Sequence, residues 1–253
     1  MSEAQVKLES VVDEVESKAD DFEKVENYEA KKEQYLSRLS SLASSLGRLE
    51  RRVGSMEFLT GVLTEVHDRD LPVGGQVKTA RESARSVLEK DEDYFYDLAE
   101  DGREDQYDQK IQQTITKVSN AEDAVKTELR TVENEWTERV ESARNVQKLV
   151  GESREMSRTL NEIEQFVTRK MWEDEEGVRA LGFDWDDLME TWNSGGGVDW
   201  ETFQQEHSLS DETMDILKNL ASEGEIKLDE LDKDTASEML SVDPLRNVVT
   251  LSI

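Results

Sequence analysis

The stretch "LSSLASSLGRLERRVGSMEFLTGVL" (39–63) carries the pattern that decides the fold. Its apolar positions, with one threonine among them, recur in alternating steps of three and four residues: Leu39, Leu42, Leu46, Leu49, Val53, Met56, Thr60 and Leu63. This spacing places one apolar seam along a helix and is typical of a coiled coil. The overlapping segment 37–47 has one charged residue and many small ones, which permits close approach of another helix.

The residues before this stretch follow the same rule, at Leu8, Val11, Val15, Phe22 and Val25. Joining the two blocks through Tyr28 requires a three-residue slip, which would overwind a coiled coil locally. We therefore predict one helix of about 65 residues, roughly 100 Å long. Pro72, followed by Gly74 and Gly75, predicts a turn near 70–76.

A second seam runs from Val77 to Met171 and is interrupted near 101–104, where Gly102 would form either a kink or a turn. The apolar faces of "FLTGVLTEV" (58–66) exceed what two helices can cover, so we expect a third helix, within 77–99, to pack there. For residues 1–172 we predict a long antiparallel coiled-coil hairpin, because a short loop makes long helices neighbours. The same heptad code would also serve a homodimer.

Residues 173–253 lack heptads and predict a small C-terminal α+β domain, which makes the whole chain mainly α. Asp199 and Ser210 are candidate helix N-caps, and Gly224 is a candidate helix end. The alternation in 225–231 and 247–253 predicts two paired strands.

The segment "LKNLASEGEIKLDEL" (217–231) resembles the first helix and strand of the winged-helix family. That resemblance implies a DNA-reading helix near Asp232, but Asp234 and Glu238 in it would repel phosphates. We therefore expect a winged-helix-like domain that docks protein, with nucleic acid an unlikely partner.

Trp185, Trp192 and Trp200 lie in the first part of the predicted C-terminal domain, which begins at residue 173. These tryptophans predict either a compact aromatic core or an exposed docking face. The surface of 37–47 is likewise either packed within the chain or used by a partner or second protomer. The candidate partner-binding residues are therefore Leu39, Leu42, Leu46, Trp185, Trp192 and Trp200.

The composition describes the expected milieu. Sixty acidic residues against 31 basic ones leave a net charge of −29, a balance that resembles proteins of extreme halophiles. Because the chain has no cysteine, no signal-peptide pattern and no apolar run of membrane length, we expect a salt-adapted cytoplasmic protein.

No pattern of catalytic or cofactor-binding residues stands out. His67 and His207 fall in different predicted domains, which disfavours zinc, and Asp184, Asp186 and Asp187 lack the spacing of a calcium loop. Motifs for phosphate loops and nucleophile elbows are missing. We expect no enzyme, no cofactor and no metal site.

The sequence therefore predicts a non-enzymatic coiled-coil scaffold or adaptor that spaces a C-terminal protein-docking domain. The alternative is an accessory or regulatory subunit of a DNA-processing machine, whose winged-helix-like domain contacts DNA or a motor protein.

Overall fold

The computed structural model describes residues 3–19, 28–71, 73–100, 102–151, 153–194, 197–224 and 231–246. These residues are mainly helical, as the seams predict, and contain no strand. The predicted strands are 225–231 and 247–253, and except for Leu231 they lie outside the described residues.

The helices follow one another with short connections. They are α1 Glu3–Ala19, α2 Tyr28–Gly61, α3 Gly74–Leu88, α4 Glu92–Glu100, α5 Glu104–Val150, α6 Arg154–Thr168, α7 Val178–Ser194, α8 Trp200–His207, α9 Asp211–Glu223, α10 Lys233–Ser241 and α11 Asp243–Arg246. A π-helical turn, Val62–Val66, extends α2, and a 3-10 turn, Lys170–Trp172, follows α6. None of the described helices has the length and apolar character needed to cross a membrane.

The chain divides into two compact units, Met1–Leu129 and Arg130–Ile253, so α5 contributes residues to both. The predicted boundary at 172/173 stays a prediction.

In the first unit α1 folds back along α2. Gln5 Oε1 lies 3.3 Å from the position that a Cβ would take on Gly47. In one continuous helix these residues would be about 63 Å apart. The predicted 65-residue helix is therefore wrong, because α1 and α2 are separate helices that pack against each other.

The two longest helices of the first unit, α2 and α5, lie side by side and run parallel. Ser45 Oγ accepts from Gln112 Nε2 at 3.1 Å, and Ser55 Oγ donates to Glu122 Oε1 at 3.1 Å. The partner numbers rise together along both helices, which requires a parallel pair. The predicted antiparallel hairpin of two long helices is therefore wrong, since a heptad seam encodes contact but not direction.

Helix α3 lies between α2 and α5 in the chain and is antiparallel to α5. Tyr107 Oη donates to the Val87 carbonyl at 2.6 Å, and Lys117 Nζ donates to Ser83 Oγ at 3.3 Å, so α3 runs against α5. Gly102 has φ +63°, and the N–H of the next residue reaches back to the Leu98 carbonyl, so the chain turns there after α4.

The first seam is the core of this unit. The predicted third helix packs beside α2: the Arg81 guanidinium of α3 holds the Glu57 carboxylate, and α3 buries Val77, Ala80, Ala84 and Val87. Of the eight seam positions only Val53 is partly exposed; the buried ones are Leu39, Leu42, Leu46, Leu49, Met56, Thr60 and Leu63.

In the second unit the chain reverses again after α5. Gly151 has φ +105°, Ser153 caps α6, and Arg144 Nη2 donates to Asn161 Oδ1 at 2.7 Å across the antiparallel pair. The second seam, predicted to run to Met171, is therefore divided between two antiparallel helices, α5 and α6. The seam continues through the reversal because both helices face the same core.

The core of the C-terminal helices includes the end of α5. Their buried cluster consists of Val146, Leu149, Phe203, Leu209, Met214, Leu217, Ala221, Met239, Val242 and Leu245. The predicted caps are confirmed: Asp199 accepts from the Thr202 N–H and Ser210 from the Thr213 N–H. Gly224 ends α9 with φ +79°, also as predicted.

Candidate docking groove

A tryptophan cluster in the second unit fixes helix α7 against α5. The rings of Trp185 and Trp192 lie edge-on to that of Trp136, with centroids 4.9 Å and 5.7 Å away. The Phe166 ring of α6 also packs on Trp185, with the ring centroids 5.0 Å apart. Trp185 and Trp192 are 5% and 4% exposed, so both lie in the core.

The Arg139 guanidinium lies over this cluster, 4.4 Å from the Trp136 ring centroid and 5.5 Å from that of Trp192. Its Nε also donates to Asp199 Oδ2 at 3.1 Å. Burial raises the pKa of Asp199, but hydrogen bonds from Thr202 and Arg139 lower the pKa by a larger amount, so it lies below its ordinary value. Asp199 is therefore a buried carboxylate whose charge is compensated.

Gly197 permits the chain to leave α7 beside Trp192. A Cβ on Gly197 would lie 2.4 Å from Trp192 Cδ2, and the Gly197 N–H donates to the Trp192 carbonyl at 2.8 Å. Glycine is required here by close approach to the indole.

The other predicted site residues lie elsewhere. Trp200 is half-buried against the C-terminal core, and its backbone N–H donates to Ser142 Oγ at 2.7 Å. Leu39, Leu42 and Leu46 are buried in the core of the first unit. The structure thus brings Trp185 and Trp192 together around Trp136, places Trp200 against the C-terminal core, and buries Leu39, Leu42 and Leu46 within the first unit.

A surface groove of about 720 Å³ lies between α6, the 3-10 turn and α7. The buried side chains of Phe166 and Leu181, with the half-buried Leu188, supply its apolar lining. Gly177, with φ +78°, precedes α7 and allows the chain to reverse, so that α6 and α7 form the two walls.

Charged side chains border this apolar lining. The carboxylates around the groove are Glu162, Glu173, Glu175, Glu176, Asp184 and Asp187, and the basic residues are Arg169 and Lys170. Lys170 Nζ donates to Asp184 Oδ2 and lies 3.1 Å from Glu176 Oε2. These two hydrogen bonds raise the pKa of Lys170 above its ordinary value, and the bond to Asp184 has the larger effect.

Sequence reasoning missed the groove. The apolar periodicity of α6 indicates its buried face, but the walls arise only when α7 packs back on α6. Of the aspartates considered as metal ligands, Asp184 is held by Lys170. Within the described ranges, no three His, Asp or Glu side chains converge as metal ligands would.

Comparison with known proteins gives no relative: no family model matches the chain, and neither a curated protein nor a solved structure does.

Proposed function

We propose that this chain is a non-enzymatic coiled-coil scaffold or adaptor, which binds a protein partner through its C-terminal region in a salt-adapted cytoplasm. The observation that carries the proposal is the groove between α6 and α7. It combines an apolar lining with a charged rim, which is the composition of a protein-binding surface.

Rigid supports favour this use of the groove. Phe166 contributes to the lining and also packs on Trp185, so the wall of α7 is held by the tryptophan cluster. A binding surface on packed helices keeps its shape without a partner, which lowers the entropy lost on binding.

The long helices of this chain, which are held in one register, favour a scaffold. Helix α5 has 47 residues and is therefore about 70 Å long. In the first unit Glu122 is 2% exposed; its carboxylate accepts from Arg52 at 2.8 Å, from Lys126 at 2.6 Å and from Ser55 at 3.1 Å. Such a buried polar network favours one register of two parallel helices over others.

We also propose that the C-terminal region forms a winged-helix-like domain that docks the protein partner. Glu238 of α10 accepts from the N–H and Oγ of Ser210 at the start of α9, which ties these two helices together. Asp232 and Asp234 at the start of α10 are exposed and would repel a DNA backbone, which favours a protein partner.

The proposal is tested by carboxylate-reactive cross-linking of the full chain at high salt in extracts of its source organism, followed by mass spectrometry. We expect one protein to be linked reproducibly to α6 and α7, and to form a complex of defined stoichiometry once purified. Links confined to the chain itself would contradict the proposal. A salt-dependent shift with duplex DNA would favour the DNA-processing alternative.

A further inference from the structure

We propose that the occupant of this groove is an amphipathic helix of the partner, which places an apolar side chain on the lining and Lys or Arg side chains on the rim. This inference rests on the proposed function and adds the chemistry of the partner to it.

The shape of the groove favours a helix over a small molecule. Its two walls are α6 and α7, and rim residues such as Glu173, Glu175 and Asp187 are exposed. Small-molecule sites enclose most of their ligand, which an open groove between two helices does not do. A third helix laid into such a groove is a common mode of peptide recognition.

The charge of the rim selects a basic partner. Six carboxylates and two basic residues border the groove, a ratio of three to one, whereas the ratio for the whole chain, 60 to 31, is close to two to one. Among the described residues Glu175 and Asp187 form no ion pair, so their carboxylates are available to a partner. Complementary charge supplies specificity and a fast encounter.

Lys170 shows within the chain how this rim holds an ammonium group. Its Nζ binds Asp184 on α7 and Glu176 on the preceding turn, two carboxylates from different segments. A partner lysine at the Asp187 end would meet the same chemistry without displacing Lys170.

An exposed aromatic ring beside the rim adds an apolar anchor. Phe183 is 60% exposed, and the Arg179 guanidinium lies 5.6 Å from its ring centroid. Phe183 precedes Asp187 by one helical turn, so the two side chains are neighbours on the surface of α7. Aromatic side chains, phenylalanine included, are enriched at protein–protein interfaces.

The test uses a fluorescent synthetic helix of about four turns with leucine on one face and lysine on the other, and the same peptide with glutamate in place of lysine. Anisotropy with the full chain should show binding of the lysine peptide only, weakening as salt screens the rim. The double variant Glu175→Gln/Asp187→Asn should bind about tenfold more weakly.

The matched control is Asp174→Asn/Asp186→Asn, which removes the same two charges from adjacent exposed positions outside the groove. Its affinity should stay within about twofold of the unmodified chain, because surface charges interact weakly at a distance. Equal losses in both double variants, or equal binding of the glutamate peptide, would overturn the inference.

The cross-linked partner separates this inference from the proposed function. If the purified partner binds both double variants equally, the groove is not its site; the inference then fails and the scaffold proposal stands. Self-association that is lost only in Glu175→Gln/Asp187→Asn would assign the groove to a second copy of this chain and overturn the inference. If no partner is found, the proposed function itself fails.

Discussion

The two units solve the same problem, packing helices in a chain of net charge −29, with different side chains. The first unit, Met1–Leu129, uses an aliphatic seam and contains all five tyrosines; the second, Arg130–Ile253, contains all five tryptophans. Each unit also buries a carboxylate held by a cation: Glu122 with Arg52 in the first, Asp199 with Arg139 in the second.

The difference teaches what fixes each arrangement. A repeating aliphatic seam tolerates either helix direction, so a polar contact such as that of Glu122 is needed to select one. Large aromatic rings fit in few ways, so Trp136, Trp185 and Trp192 select the arrangement by shape. The division of tyrosine and tryptophan also gives each unit its own optical signal.

Trp185→Ala should have the largest effect. Removing a 5% exposed indole leaves a cavity beside Trp136 and Phe166, and the free energy of unfolding should fall by about 3–5 kcal/mol. Urea unfolding followed by the fluorescence of the remaining tryptophans measures this in the second unit.

Phe183→Ala on the same helix is the control. Because Phe183 is 60% exposed, its loss should change the unfolding free energy by less than about 0.5 kcal/mol. If the urea midpoint of the tyrosine near-UV signal shifts together with that of the tryptophan signal in Trp185→Ala, the two units unfold as one. The two units would then not be stabilised separately by different side chains.

Glu122→Ala should destabilise the first unit by about 2 kcal/mol. Arg52 and Lys126 are 48% and 33% exposed, so water can solvate them once the carboxylate is gone, and the loss stays below that of a fully buried pair. Tyrosine near-UV circular dichroism during urea unfolding reports the change. Asp123→Ala, one residue on and exposed, should have little effect.

The contribution of Glu122 should also depend on pH. Burial raises its pKa, but hydrogen bonds from Lys126, Arg52 and Ser55 outweigh this and hold the pKa below the ordinary 4.5. A depressed carboxyl pKa stabilises the folded state above pH 4.5, and the effect is lost as the pH falls through the folded pKa. The difference between wild type and Glu122→Ala should therefore shrink below pH 4.5.

A histidine gives the first unit a second pH dependence with a different window. Burial, with a smaller contribution from Arg69, lowers the pKa of His67 from 6.5 to about 4. Below pH 6.5 the unfolded chain binds this proton more readily than the folded one, so stability falls as the pH decreases toward 4.

Between pH 6.5 and pH 5 this loss should reach about 1.5 kcal/mol. Urea unfolding at a series of pH values, followed by the tyrosine signal, should show the loss in wild type and a flatter profile in His67→Asn. An equal slope in the variant would assign the pH dependence to other groups.

The seam and the caps were readable from sequence, because each depends on residues close in the chain. Leu39, Leu42 and Leu46 repeat at helical spacing, and Asp199 and Ser210 stand directly before the helices they cap. Local patterns of this kind survive whatever the tertiary arrangement.

The reversals and the groove were not readable, because they depend on partners distant in sequence. No glycine or proline occurs in 20–27, and the heptad slip at Tyr28 was the one local sign that α1 and α2 are separate helices. The parallel pairing of α2 and α5 requires knowing that Glu122 meets Arg52 and Ser55. Arg139, between two tryptophans, lies 60 residues from Asp199.

Asp199 provides the finest test of the comparison, because its two roles can be separated. It caps α8 through the Thr202 N–H at 2.9 Å and pairs with Arg139 at 3.1 Å. Asp199→Ala removes both contacts and should cost about 1–2 kcal/mol in the tryptophan-monitored unfolding free energy.

Asp199→Asn keeps a capping oxygen and removes only the charge. Arg139 is 44% exposed and still lies over Trp136, so the loss of its ion pair should cost less than about 1 kcal/mol. The Asn variant should then be distinctly more stable than the Ala variant, as expected where ring packing rather than charge selects the arrangement. Equal losses in the two variants would mean that the ion pair dominates here too, and that the second unit depends on a buried carboxylate as much as the first depends on Glu122.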